Sequence, residues 1–194
     1  MTQGNLNNGA YEIRDADADE YGAIGRLTVD VFQQLPDMPG PDKMPEFYAM
    51  LQDVGTRAAN PATNILVAVD SRRRLLGAVT FVGDMKFYGV DGSESWRSGA
   101  SGFRHLVVDV EARGCGLGRA LTNKCIQKAR RAGSSHLIVH TTKAMQTAWQ
   151  LYDRMGFQHS VDLDFCQGNL PVYGFHLPLR QEQSTTPLIS SHAR

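Results

Sequence analysis

Residues 107–121 read VVDVEARGCGLGRAL: an apolar run, three glycines at alternate positions, and the start of a helix-like stretch. Gly114, Gly116 and Gly118 are framed by Arg113 and Arg119. Glycine serves where backbone must take a positive φ or come close to another group. The first N–H groups of the following helix have no internal partner, and the helix dipole places about half a positive charge there. Without Cβ atoms in the way, such amides reach a phosphate. The chain must therefore fold so that a strand runs straight into a helix, with an anion-binding turn between them.

Two familiar phosphate motifs fail against these residues. A P-loop needs G-x-x-x-x-G-K-[ST], and no Lys-Ser or Lys-Thr follows the glycines. A dinucleotide fingerprint needs G-x-G-x-x-G, but counting from Gly114 the sixth position is Arg119. The next strand also ends on His140, where a ribose-binding acid belongs.

The rest of the chain supplies strands and helices in mixed order. YEIR at 11–14 is a short strand candidate. Asp17 and Glu20 have capping-box spacing, and Tyr21, Ile24, Leu27 and Val31 then recur at helical intervals. Prolines 36, 39, 41 and 45 end that helix, and EFYAMLQDVGTRA at 46–58 reads as a second one. NILVAVD and LLGAVTFVGD form a hairpin around SRRR, followed by a Gly/Ser-rich loop over 83–102. GFRHLVVDV is a strand, and Leu117, Ala120, Leu121, Cys125 and Ala129 mark one face of the helix after the glycines. SHLIVHTT reads as a buried strand, AMQTAWQLYDRM as an amphipathic helix stopped by Gly156, and SVDLDFCQ with LPVYGFHLPL as a last strand pair. Early and late hairpins around one strand–helix–strand unit imply a mixed α+β sheet flanked by helices, not a doubly wound parallel one.

At 194 residues the chain suits one domain, expected over 11–179, with a flexible lead-in at 1–10 and a loose polar tail at 180–194. Lys+Arg and Asp+Glu are both 20, so no basic excess argues for nucleic acid or a membrane surface; an anion site has to be local. Cys115, Cys125 and Cys166 have neither zinc nor disulfide spacing. No metal is expected. The polar start MTQGNLNNGA lacks signal-peptide order, and no apolar run approaches a membrane span, so a cytoplasmic protein is expected.

RGCGLG obeys R-x-x-G-x-G, and in this the chain resembles the Gcn5-related N-acetyltransferases, the GNAT family. LVVDVEARGCGLGRAL looks like that family's fourth strand, pyrophosphate loop and following helix. AWQLYDRMGF looks like its closing A-x-x-L-Y-x-x-x-G-F segment, and YEIRDAD like its opening strand. The resemblance implies a mixed, mostly antiparallel sheet of about seven strands flanked by about four helices. It implies acetyl-CoA as co-substrate, with its pyrophosphate on the main-chain N–H groups of Gly114, Gly116, Leu117, Gly118 and Arg119, and added charge from Arg113 and Arg119. A bulge in the fourth strand would part it from the fifth, and Leu106, Val107 and Val108 would pair with the pantetheine arm and the thioester carbonyl. Many relatives carry Asn before the last helix; here Met145 stands there, with Gln146 beside it as the replacement contact.

The activity so implied is transfer of an acetyl group to the primary amine of a small molecule or amino-acid-like metabolite, by direct attack in a ternary complex. Protein or peptide acetylation, or a non-catalytic CoA-binding module, are the alternatives. Tyr152 matches the family tyrosine assigned as acid to the leaving thiolate. For the base, His105 has a suitable intrinsic pKa, though strand alternation puts it opposite Leu106; Asp109, Glu111 and His140 stay open, each through water. The acceptor is expected against the loops 33–45 and 83–102. These carry Asp37, Asp42, Asp84, Asp91 and Glu94 for a cation, Lys43, Lys86 and Arg97 for a carboxylate, and Tyr88 and Trp96 as walls. Homodimers occur widely on this fold, and no residue pattern here decides for or against one.

Overall fold

The computed structural model describes residues 11–89 and 98–179. The expected flexible ends, and Asp91, Glu94, Trp96 and Arg97, lie outside them. Eight strands and five α-helices alternate: β1 (Tyr11–Asp15), α1 (Tyr21–Gln33), α2 (Pro45–Gln52), α3 (Val54–Ala58), β2 (Thr63–Asp70), β3 (Leu75–Val82), β4 (Ala100–Val108), α4 (Leu117–Arg131), β5 (His136–Thr141), α5 (Gln146–Arg154), β6 (Gln158–His159), β7 (Phe165–Gln167) and β8 (Leu170–Pro178). The strand order is β1-β2-β3-β4-β5-β8-β6, with β7 on β8. Only β4 and β5 run parallel. The mixed sheet expected from the element order forms, and it is mostly antiparallel, as the resemblance implies.

Strand periodicity sorts the core onto two faces. Along β2, Leu66 and Ala68 join a cluster with Phe103, Val139, Phe175 and the α4 face Leu117, Leu121, Cys125 and Ala129. Ile65, Val67 and Val69 point the other way, to Ile24 and Phe32 of α1 and Tyr48 and Leu51 of α2. A strand buried on both faces has no polar alternation, which is why TNILVAVD reads as a continuous apolar run. Each fully buried Leu here contributes about 2 kcal/mol by removal from water.

The first helix is set as expected. Glu20 Oε2 accepts the Asp17 N–H at 2.8 Å, and the same carboxylate holds Arg14 of β1 at 2.7 Å. The second helix differs from expectation: it breaks at Asp53, whose φ and ψ of −82° and 77° leave the helical region. The Asp53 carboxylate then accepts from the Thr56 N–H at 3.0 Å, capping α3. Residues 160–164 also differ, forming a turn of 3-10 helix over Val161–Leu163. β4 starts at Ala100 and stops at Val108, where Asp109 caps a short 3-10 turn through the Glu111 N–H at 2.8 Å.

Candidate functional site

β4 and β5 are paired only from Ala100↔His136 to Phe103↔Val139. Beyond that pair β5 continues to Thr141 against β8, while β4 continues to Val108 against β3. The parting has a local cause. Ala78 pairs with Val107 but Thr80 pairs with Arg104, so β4 carries one extra residue opposite Val79. His105 takes that position with φ 52°, in the left-handed region that costs an L-residue about 1 kcal/mol or more. Leu106 packs on the α4 side, while His105 lies in the field of Arg57 of α3 and Arg104.

The unpaired edge of β4 offers main-chain groups to the gap. The Asp109 N–H donates to Leu76 O of β3 at 2.9 Å, so strand alternation turns Val108 toward the gap and Val107 toward β3. Arg113 Nε donates to Val108 O at 3.3 Å, consistent with that orientation. Leu106 and Val108 pack with α4 and α5 residues; Val107 is buried on the α1–α2 face.

The glycine turn closes the same end of the gap. Gly114 and Gly116 have φ of 83° and 81°, and a Cβ added at either would meet nothing within 4 Å. Gly116 is the N-cap of α4. Nothing therefore crowds the turn at these two positions, and the helix N-terminus beside it is the kind of place that suits a diphosphate. Leu117 turns its side chain into the core, and a Cβ on Gly118 would lie 3.5 Å from Leu151 and 3.9 Å from Val108. The turn, β4 and α5 therefore converge. Arg113 and Arg119 are exposed. The Gln146 amide donates to Lys143 O at 2.7 Å, a local bond at the start of α5.

Tyr152 is 3 % exposed, in edge-to-face contact with Phe103 at 5.8 Å between centroids and close to Phe157 and Phe175. Its hydroxyl has no hydrogen-bond partner among the described residues, and burial pushes the phenol above its usual range. His105 Nδ1 is sealed from solvent without a partner. Burial holds this imidazole well below its usual range, and the charges of Arg104 and Arg57 add to that. Of the other candidate bases, Glu111 is tied to Arg74 at 2.7 Å. His140 sits with Nδ1 3.1 Å from the Tyr88 hydroxyl and Nε2 3.0 Å from Leu163 O, and its pKa is brought down by burial to about 4.

Between the loop before α2, α2 itself and the β7–β8 turn, a cleft of about 960 Å³ is lined by Asp37, Lys43, Glu46, Phe47 and Met50 with Gln167–Leu170. The proline-rich loop thus lines a cleft. Lys86 does not join it: it pairs with Asp84 at 2.8 Å and lies over the Phe87 ring. Tyr88 is buried, its hydroxyl donating to Phe103 O at 3.0 Å where the strands part. The residue that sequence reasoning passed over is Arg104, although Arg-His inside GFRHLVV was a visible interruption of an apolar strand.

No described helix is long and apolar enough to cross a membrane. Among curated proteins, the mycothiol acetyltransferase of Geodermatophilus obscurus is 38% identical over 61 residues, 31% of this chain and 20% of that protein. The matched segment thus spans about a fifth of that relative's length. Among solved structures, YncA of Salmonella typhimurium, a putative acetyltransferase with its cofactor acetyl-CoA, aligns with TM-score 0.60 at 19% identity, over 91% of this chain and 98% of that one. The spermidine N-acetyltransferase of Vibrio cholerae, in complex with CoA and spermine, aligns with TM-score 0.60 at 16% identity, over 90% and 98%. The family model for the acetyltransferase (GNAT) family matches residues 22–157, across the whole span from α1 through the parted strands to α5, and the chain belongs to that family.

Proposed function

We propose that the protein is an acetyl-CoA-dependent N-acetyltransferase acting in the cytoplasm on the primary amine of a small molecule, both substrates being bound together. The observation that carries this is the parting of β4 from β5 after Phe103 and Val139, directly beside two open positive-φ glycines. A gap between strands exposes main-chain donors at a fixed spacing, and a helix N-terminus at its end takes phosphate. The main-chain N–H groups of Gly114, Gly116, Leu117, Gly118 and Arg119 hold the diphosphate, with Arg113 and Arg119 adding charge at the rim. Leu106 and Val108 pair with the pantetheine arm, and Val107, on the β3 side, fixes the strand that presents them. Gln146 stands at the start of α5 as a further contact. Acetyl-CoA supplies an acyl group already activated as a thioester.

This chain's own groups manage two protons. An alkyl ammonium, pKa about 10, has to lose one before its nitrogen is nucleophilic. His105, neutral because it is buried, is the group assigned to receive it. Tyr152 stays protonated and holds the proton that a departing thiolate takes up. The cleft volume suits a small acceptor, within the range of about 300–1,000 Å³ typical of such sites.

Calorimetry with CoA, followed by thiol release from acetyl-CoA across a panel of amines, amino acids and peptides, tests the reading. Micromolar CoA binding with turnover of a small amine is expected. Binding without turnover of any acceptor makes the chain a CoA-binding module, and preference for peptides makes it a protein acetyltransferase.

A further inference from the structure

Three cation-forming side chains meet at the bulge, and no carboxylate among the described residues pairs with them. Arg57 is accounted for: its guanidinium donates to the Met50, Leu51 and Asp53 carbonyls, closing the end of α2. Its Nε is nevertheless buried with no partner. Burial and the Arg104 charge bring Arg57 down to about 10. Arg104 is not accounted for. It donates through Nη1 to Tyr88 O and lies over the Tyr88 ring at 5.2 Å, leaving four of the five guanidinium donors unused among the described residues. His105 is held in a strained backbone conformation with its Nδ1 sealed and unpaired. Among the described residues, the carboxylates whose charge reaches Arg57 and His140 are engaged elsewhere: Asp53 caps α3, and Asp164 takes His159 at 2.9 Å and the Gly174 N–H at 2.9 Å.

Half-buried positive charges that repel one another persist at a cost unless an anion completes them. Strain and unpaired buried atoms at the same place mark ligand clamps more often than packing defects. We propose that Arg104, set in the field of Arg57, binds the carboxylate of the acceptor, which is an α-amino acid. This rests on the N-acetyltransferase reading above and narrows its substrate. The chemistry matches the layout. An α-amino acid carries its amine two bonds from its carboxylate carbon, and Arg104 and His105 are neighbours at the point where the thioester edge begins. The planar guanidinium fork suits a carboxylate, so Lys is a poor substitute for it. Lys43 and Lys86, the carboxylate candidates of the loops, lie away from the bulge, on the cleft rim and on Asp84 respectively.

The test compares amino acids with their own amides and decarboxylated amines, reading kcat/KM for each. The wild-type protein should favour the best amino acid over its two analogues by tenfold or more. Arg104→Gln, which keeps a donor for Tyr88 O, should bring that ratio to within about twofold of one, the loss falling on the amino acid, with the Kd of CoA as in the wild type. Arg104→Lys should fall between. In parallel, calorimetry of the CoA-loaded protein with N-acetylated amino acids and N-acetylated amines reads the same preference without turnover. A wild-type preference for amines lacking carboxylate, spermidine included, or absence of any carboxylate binding, overturns the proposal and leaves the N-acetyltransferase reading intact. Failure of CoA itself to bind overturns that reading first.

Discussion

Phe103 and Val139 are the last residues that join β4 to β5, and the proposed site is arranged around the point where they part. The Phe103 carbonyl accepts from Tyr88, its ring meets Tyr152, and the next two residues are Arg104 and His105. One inserted residue in β4 thus lies where the sheet opens, with Arg104 and His105 at that point.

The glycine turn can be separated from its own backbone strain. Gly116 and Gly133 both have positive φ, 81° and 72°, and both face open space. Alanine at either should cost about 1 kcal/mol of stability, the penalty of the left-handed region. Only Gly116→Ala places a methyl before the amides that open α4, so only it should weaken CoA binding, by tenfold or more in calorimetry. Equal CoA affinity in the two variants would show that the diphosphate sits elsewhere.

Tyr152→Phe is a second probe. The ring stays packed against Phe103, Phe157 and Phe175, and the lost hydroxyl bonds nothing among the described residues. Thermal stability should therefore stay within about 0.5 kcal/mol. Turnover should drop by about 10², the ordinary worth of a placed proton donor. Full kcat in single-turnover measurements over a range of pH would remove the tyrosine from the chemistry.

Stability should depend on pH through His140. Its pKa is about 4 in the fold, against about 6.5 in the unfolded chain. Between those values the unfolded chain binds a proton that the folded one refuses, so stability is complete above about pH 6.5 and declines as pH falls toward 4. The decline is worth about 3 kcal/mol at most, and His105, also depressed, acts in the same direction. Urea unfolding near pH 7 and near pH 5 should show it, with a visibly smaller loss in His140→Gln. An identical loss in that variant would mean that other groups carry the slope.

Gly25 holds the cleft wall in place. A Cβ there would lie 2.3 Å from Gln52 O, at the end of α2. Gly25→Ala should cost about 1–3 kcal/mol in denaturant unfolding and raise the KM of the acceptor more than that of acetyl-CoA, since α2 carries Met50 and Phe47 of the cleft. Unchanged stability would show that α2 can shift freely.

Much of this was readable from local pattern. The capping box at Asp17 and Glu20, the prolines that end α1, the glycine stop at Gly156 and the apolar face of α4 all depend on residues within a turn or two of one another. Local interactions cannot say where a helix breaks when a tertiary partner decides it. α2 and α3 read as one helix because the apolar period runs through Asp53; the break depends on the Asp53 cap, on Arg57 reaching back to three carbonyls, and on Gly25 letting Gln52 come close. The same limit applies to the bulge at His105, because alternation assumes an unbroken ladder and the register shift is a relation between β3 and β4.

The amino-acid sequence alone determined that a strand enters a helix through a glycine turn able to hold phosphate, because positive φ and unpaired amides are properties of a few consecutive residues. The tertiary structure alone decided what faces the opening beyond it. Arg57, Tyr88, Arg104 and His140 come from separate elements, and only the register shift between β3 and β4, a relation between two strands, brings their charges and hydrogen bonds to one place.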